Sequence, residues 1–396
     1  MSCRIRRIAI LLVLLLAAPR LAAQSAGNAG EPAPEVWLVS YGPGEIYWQR
    51  FGHNAIWIRD PGLGLDHAFN FGFFDFGQED FFLRFLQGRM LYFSAARPAS
   101  EEFAAYIDEN RSIRAQRLAL SPDQAMDLVA YLLNEVRPEN RDYLYDYYRN
   151  NCATRVRDAL DRALGGVLAE RFSAVPAEQS WRDHTRRLTV DDFWLYLGLE
   201  IALGAPVDGP IDRWEEMFIP AVLADAVADM RIAGDAPLVL EDVMLYHSTL
   251  APPPAAPRAW WPRYLLASLG LAAVAWLLTR RGPPWLAPAL GRAWFGIAGL
   301  AGCALVFFWF GTDHRVASLN LNLLVFNPIW LWPAFSRLAA GRTLPLVAGL
   351  SALALLMPFL PPWQYSFDVL AAFLPLNLAA AMAVDSADRL ARRPGR

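Results

Sequence analysis

After a proline-rich break, APPPAAPR at 251–258, the chain becomes apolar and stays so almost to its end. Five stretches follow, at about 264–279, 293–310, 321–335, 344–360 and 367–384. Each is near the length a helix needs to cross a hydrocarbon core of roughly 30 Å. No other feature constrains the fold as strongly, because inside lipid every backbone N–H and C=O must find its partner within the span. Residues 260–396 therefore read as an all-α membrane domain of about five transmembrane helices, with 251–259 as a semi-rigid linker. The third stretch carries Pro328 and Pro333 and reads as broken or re-entrant.

Charge gives the orientation. MSCRIRRIAILLVLLLAAPRLAAQ opens the chain with arginines, an apolar run and small residues, the pattern of a signal peptide over 1–23. An exported N-terminal domain, 24–250, makes the first span run inward, so Arg280, Arg281, Arg292, Arg337, Arg342 and the tail RLARRPGR fall on the cytoplasmic side. The outer loops then carry only Arg315, as the positive-inside rule requires. A net charge of −3 offers no basic surface for nucleic acid. All 36 basic residues are arginine, which excludes a Ser-Lys dyad or a Schiff base. Neither H-E-x-x-H nor paired C-x-x-C occurs, so no metal or other cofactor is called for, and the G-x-S-x-G serine elbow is missing.

The exported part retains one thiol. Cys3 leaves with the signal peptide and Cys303 falls in the second predicted span, so Cys152 is alone in a compartment where thiols are normally paired. It can be an inert buried group, half of an intermolecular disulfide, or a nucleophile. Its surroundings, RNNCATRVRDAL, favour the nucleophile. Asn150 and Asn151 are good N-caps, and Val156, Leu160 and Leu164 recur every fourth position before Gly165 and Gly166. Cys152 then opens an amphipathic helix, where the dipole and free N–H groups lower a thiol's pKa and can hold an oxyanion. The polar side chains beside it, Asn150, Asn151 and Arg155, are candidates for oxyanion or substrate contact.

A thiol nucleophile needs a base. Of the five histidines, His53 stands in WQRFGHNAIWIRDPGLGLDHAFNFGFFDF, where alternation predicts a strand, a turn and a second strand. The hairpin carries His53 on one arm and His67 and Asn70 on the other. Nearby phenylalanines from Phe69 to Phe85, and YLYDYYRNNC at 143–152, line a groove or pack as core. Arg155 and Arg157 either meet a phosphate headgroup or form a solvated face with Asp158 and Asp161. His184 reads as part of a surface helix, and His247 is given no role. Asp313, His314, Asn320, Asn322 and Asn327 are polar groups between spans at the outer face, suited to binding a headgroup or capping the third span.

The histidine precedes the cysteine, the reverse of papain-like enzymes, as in the circularly permuted, NlpC-like form of that fold. GHNAIWI, DHAFNFG and NNCATRVRD resemble the permuted lecithin:retinol acyltransferase and phospholipid acyltransferase group. Over a longer range, YGPGEIYWQRFGHNAIWIRDP, FNFGFFDF, NNCATRVRDALD, EEMFIPAVL and TDHRVASLNLNLLVFNPIWLWP are similar to Lnb-type bacterial lipoprotein N-acyltransferases. The resemblance implies an α+β, circularly permuted papain-like periplasmic domain on a multi-pass domain of the bacterial inner membrane. It implies a membrane phospholipid as acyl donor and diacylated lipoproteins as acceptors, with Cys152 as nucleophile and His53 as base. For the third member it implies Asn70, with His67 as the alternative. Two rivals remain: a membrane-anchored NlpC-like peptidoglycan amidase or endopeptidase, which five spans serve poorly, and a non-catalytic lipoprotein-handling envelope module.

Overall fold

Period-two alternation around His53 does build strands. In this computed structural model, which describes residues 33–336, 339 and 341–391, β1 (Glu35–Tyr41), β2 (His53–Asp60) and β3 (Leu65–Phe73) pair antiparallel. The signal peptide predicted over 1–23, Arg337 and the arginines beyond residue 391 lie outside the described residues. β4 (Leu91–Pro98), β5 (Ile113–Leu118) and β6 (Asp142–Leu144) join them. A small ribbon, β7 (Arg231–Ile232) with β8 (Ala236–Pro237), precedes β9 (Val239–Tyr246). The main sheet runs β6-β4-β3-β2-β1-β5-β9, every neighbour antiparallel.

The two faces of that sheet bury different halves of each strand, because successive side chains point opposite ways. Ile56, Ile58, Leu38 and Phe69 meet Val156, Ala159 and Leu160 of helix α3 (Cys152–Ala163) in the larger core. Each such aliphatic side chain removed from water contributes roughly 1.5–3 kcal/mol. On the opposite face, Val39, Tyr41, Ala55 and Ala68 pack under Phe103 and Tyr106 of α2 (Ala99–Asp108). A short aromatic helix, α1 (Phe81–Gln87), lies between β3 and β4. With α4 (Trp181–Thr189) and α5 (Phe193–Ala202) completing its lower part, the N-terminal domain is α+β.

Beyond the linker, α6 (Trp261–Arg281), α7 (Leu286–Phe310) and α9 (Phe367–Ala391) contain the three segments, among the described residues, long and apolar enough to cross a membrane. The other two predicted spans come out shorter. At 321–335 the chain forms 3-10 turns and a five-residue helix, Leu331–Phe335. Pro328 and Pro333 explain the break, since each removes a backbone donor that a continuous helix would use. The fourth stretch is α8 (Thr343–Leu356), prolonged by the turn Met357–Phe359.

The two domains are tied by buried polar groups. Asn320 Nδ2 donates to the carbonyls of Ile201 and Ala202, and Asn322 Nδ2 to those of Glu200 and Ile201. These carbonyls end α5 and have no partner within the helix, so two asparagines of the membrane domain cap a helix of the other. Beside them Arg186 reaches Asp368 at 3.3 Å, and Tyr196 Oη donates to the same carboxylate at 2.6 Å.

Candidate active site

His53 begins β2, just after Gly52, whose φ of +84° suits glycine and turns the chain into the strand. Its register places it on the sheet face of Ala55, which stands opposite Asn70 of β3. The imidazole Nε2 lies 2.8 Å from Asn70 Oδ1. Asn70 cannot be turned the other way: its Nδ2 donates to Glu102 Oε2 at 2.6 Å and to the Ala68 carbonyl at 3.1 Å. An amide nitrogen donates only, so Oδ1 is left to accept, and Nε2 must carry the ring proton. Nδ1 is then the unprotonated nitrogen, free to act as base. Glu102, 1% exposed, is fixed in turn by Tyr41 Oη, which donates to Oε1 at 2.5 Å. Tyr41 stacks on Tyr106 at 3.6 Å between centroids, and the His53 ring lies within 22° of parallel to both. Four residues thus hold one imidazole in one tautomer and one plane.

Cys152 is where the capping pattern places it. Asn151 is the N-cap, its Oδ1 accepting from Thr154 N at 2.9 Å while Thr154 Oγ1 accepts from Asn151 N at 2.8 Å. Gly72 of β3, with φ +92°, passes so close that a Cβ there would sit 3.3 Å from the cysteine's own. The net effect on the thiol reverses the expectation from helix dipole alone. Burial pushes its pKa up, and this outweighs the backbone N–H groups of Asn54, Ala153 and Cys152 and the charge of Arg111, which favour the thiolate. Burial also lowers His53 to about 4, with the Asn70 hydrogen bond opposing and Arg111 adding to the shift. Near neutral pH burial therefore favours a neutral thiol and a neutral imidazole over an ion pair of the two.

Both residues line one cavity of about 680 Å³. One wall, from α2, the residues just after it and the loop before β2, is polar: Gln49, Glu102, Glu109 and Arg111. An apolar wall draws on both domains, taking Phe74 and Phe85 from around α1, Leu195 and Leu199 from α5, and Phe308, beside His314, from the membrane domain. Phe308 lies in the last turn of α7, so this wall starts at the outer end of a membrane-spanning helix.

Other residues singled out in the sequence fall in several places. His67 stands opposite Ile58 and so faces away from His53 and Asn70; a one-residue change of parity removes it from the site. Asn150 does not line the cavity, and one of its side-chain N–H groups goes to Leu144 O; both side-chain N–H groups of Asn151 are used, by Tyr147 O and Phe218 O. Arg155 lies over Tyr143 at 4.1 Å and pairs with Glu135, outside the cavity. His314 does line the cavity, with Nε2 hydrogen-bonded to the Phe85 carbonyl at 2.8 Å and its ring stacked toward Tyr147. Asn322, 1% exposed, serves the domain joint described above. Asp313 pairs with Arg89 at the surface, and Asn327 caps a turn through Ile329 N.

His184, read as part of a surface helix, is instead buried, bonded to Glu216 through one ring nitrogen and to Arg187 through the other. The phenylalanine run divides: Phe69 and Phe71 are core, Phe73, Phe74 and Phe85 line the cavity, and Phe82 is 74% exposed. Of the tyrosines before the thiol, Tyr145, Tyr147 and Tyr148 line the cavity and Tyr143 packs in the core.

Sequence reasoning missed Glu102, Tyr41 and Arg111. The signal for Glu102 was present in ASEEFAAYI: Ala99, Phe103 and Tyr106 make an apolar helix face, and Glu102 lies on it. A carboxylate on the buried stripe requires donors, and here Tyr41 and Asn70 supply them. Among the described residues no three histidine, cysteine, aspartate or glutamate side chains converge as a metal site would need.

Comparison with known families is specific. Residues 32–187 match the family model described as the Lnb N-terminal periplasmic domain, and residues 263–384 match that of the Lnb transmembrane domain. The first match contains His53, Asn70, Glu102 and Cys152; the second contains Phe308 and His314. No curated protein and no solved structure matches the chain.

Proposed function

We propose that this chain, which belongs to the Lnb-type family and is a membrane protein with a periplasmic N-terminal region, is a lipoprotein N-acyltransferase of the bacterial inner membrane. The observation that carries the reading is the shared cavity: Cys152 and His53 open onto an apolar wall that continues to Phe308 at the end of a spanning helix. An acyl donor that stays in the bilayer needs such a wall, whereas a hydrolase acting on the cell wall has no use for it. The early strand histidine and later helix cysteine fit a circularly permuted papain-like domain, and we read all five apolar stretches as part of its membrane anchor.

The chemistry follows from the protonation states. His53 Nδ1 takes the thiol proton as Sγ attacks the ester carbonyl of a phospholipid. The backbone N–H groups of Ala153 and Asn54, which interact with the Cys152 thiol, would hold the oxyanion, each such donor being worth about 3 kcal/mol at well-formed sites. The tetrahedral intermediate collapses with the His53 proton passing to the departing lysophospholipid oxygen, leaving a Cys152 thioester. The α-amino group of a diacylglyceryl-cysteine then attacks this thioester, His53 removes its proton, and the N-acylated lipoprotein leaves with the thiol restored.

The test is mass spectrometry of a reporter lipoprotein's N-terminal peptide from cells lacking their own N-acyltransferase and expressing this chain. A triacylated terminus that reverts to diacylated with Cys152→Ala is the expected result. A free amino terminus despite normal expression refutes the reading and leaves peptidoglycan as the substrate to examine.

A further inference from the structure

The arginines that the sequence offered to a headgroup are both engaged. Arg155 pairs with Glu135, and Arg157 donates to the Trp214 carbonyl at 2.7 Å and contacts Asp158. The cavity instead presents two others, Arg97 and Arg111. Arg111 is 4% exposed and immobilised: Nε donates to the Gly42 carbonyl at 2.9 Å, Nη1 to Glu109 at 3.3 Å, and the guanidinium lies 4.6 Å above the Tyr106 ring. Its Nη2 is buried with no hydrogen-bond partner. A buried guanidinium nitrogen left without an acceptor is costly, more so than a neutral donor. Arg97 stands opposite Ala68, on the same sheet face as Asn70; its charge acts on Glu102, without a side-chain hydrogen bond or ion pair among the described residues.

The two carboxylates in the same wall are already served by donors, Glu102 by Tyr41 and Asn70, Glu109 by Gln49 and Arg111. What remains unsatisfied there is cationic. Arg111 is also close enough to act electrostatically on both His53 and Cys152. A buried guanidinium nitrogen without an acceptor, on a residue that shares one cavity with Cys152 and with apolar side chains, matches a ligand with an ester between an anion and an alkyl chain.

We propose that Arg111, assisted by Arg97, binds the phosphodiester of a glycerophospholipid and so selects the acyl donor. The assignment rests on the acyl-transfer reading for the word donor, but the phosphate site itself does not. In the bound lipid the chain lies along Phe74, Phe85 and Phe308, the ester carbonyl meets Cys152, and the phosphate, one glycerol away, takes the free Nη2 of Arg111. A guanidinium presents paired N–H groups that match two phosphate oxygens, which lysine does not.

The experiment measures binding to the full-length Cys152→Ala protein in detergent, with lysophosphatidylglycerol and monoacylglycerol of the same chain as probes. Arg111→Gln is expected to weaken lysophosphatidylglycerol at least tenfold and monoacylglycerol less than twofold, with Arg97→Gln giving a smaller loss of the same kind. Equal weakening of both probes assigns Arg111 a structural role and overturns the proposal, as does no weakening of either. Inorganic phosphate binding as tightly as the lysolipid, and with the same dependence on Arg111, makes the ligand free phosphate and overturns the lipid assignment. Intact mass of the wild-type chain incubated with phospholipid separates the two claims: selective binding without any thioester keeps the phosphate site and removes the acyl-transfer reading.

Discussion

Two buried polar networks lie within this chain, and they are built for opposite ends. At the domain joint, Arg182, Arg186, Glu200, Asp208 and Asp368 form ion pairs at 2.8–3.7 Å, and Tyr196 donates into the cluster. Each member has at least one oppositely charged partner, although Arg182 Nη1, Glu200 Oε2, Asp208 Oδ2 and Asp368 Oδ1 are buried without a hydrogen bond, and none of the five lines the large cavity. Under the sheet, Tyr41, Glu102, Asn70 and His53 form a line of hydrogen bonds instead, and the line has an open end. Its last atom, His53 Nδ1, is left unprotonated on a residue that lines the same cavity as Cys152. Burial alone does not distinguish structural from chemical groups; what does is whether the network reaches the cavity. The histidines repeat the lesson, since both ring nitrogens of His184 are occupied and only one of His53 is.

The comparison breaks most visibly at the open end. His53→Ala should lower thioester formation on Cys152 by about 10²–10⁴-fold, the usual contribution of a positioned base, when followed by intact mass. The wild-type rate should hold constant as pH falls and drop only on passing through about 4, because burial keeps the imidazole neutral down to there. An acid limb near the ordinary histidine value would show that the ring is not buried as described.

One step back along the line, Glu102→Ala should cost about ten- to a hundred-fold, the scale seen when an outer partner that orients a ligating histidine is removed, because Glu102 reaches His53 only through Asn70. It leaves Tyr41 Oη without its acceptor, so some stability is lost as well, about 1–3 kcal/mol. Nitrogen NMR of the His53 ring separates the two effects: an orienting role predicts a mixture of tautomers in the variant, a purely structural one a ring still protonated at Nε2.

The network at the joint should behave in the reverse way. Arg186→Met leaves Asp368 without a cation and Glu200 with Arg182 alone, and should destabilise the protein by about 3–5 kcal/mol, read as a lower unfolding temperature in detergent. The rate per folded molecule should remain near wild type. A variant equally stable but inactive would contradict the division drawn here. The smallest effect belongs to His67→Ala, expected within twofold of wild type in both rate and stability because its side chain faces away from the site.

How much of this was legible beforehand follows from which interactions are local. The hairpin at His53 and the helix start at Cys152 were readable because alternation and capping act over a few residues, and Asn151, one of the two candidate caps, is the N-cap, with Thr154 as its reciprocal partner. The break at Pro328 and Pro333 was readable for the same reason. The choice between Asn70 and His67 required strand register, which three residues of sequence separation leave open until β2 and β3 are paired. Glu102, Tyr41 and Arg111 come from α2, β1 and the loop after α2, and only tertiary packing brings them to His53. The pKa of Cys152 was misjudged because helix position is local and burial is not.

The central claim is that Cys152 carries the acyl chain. Incubating the full-length protein with a phospholipid of defined chain length and measuring its intact mass tests this directly. The account predicts a gain of one acyl group, absent in Cys152→Ala and discharged as N-acyl product when a diacylated lipopeptide is added. No gain in mass, or a gain that persists in Cys152→Ala, would contradict it.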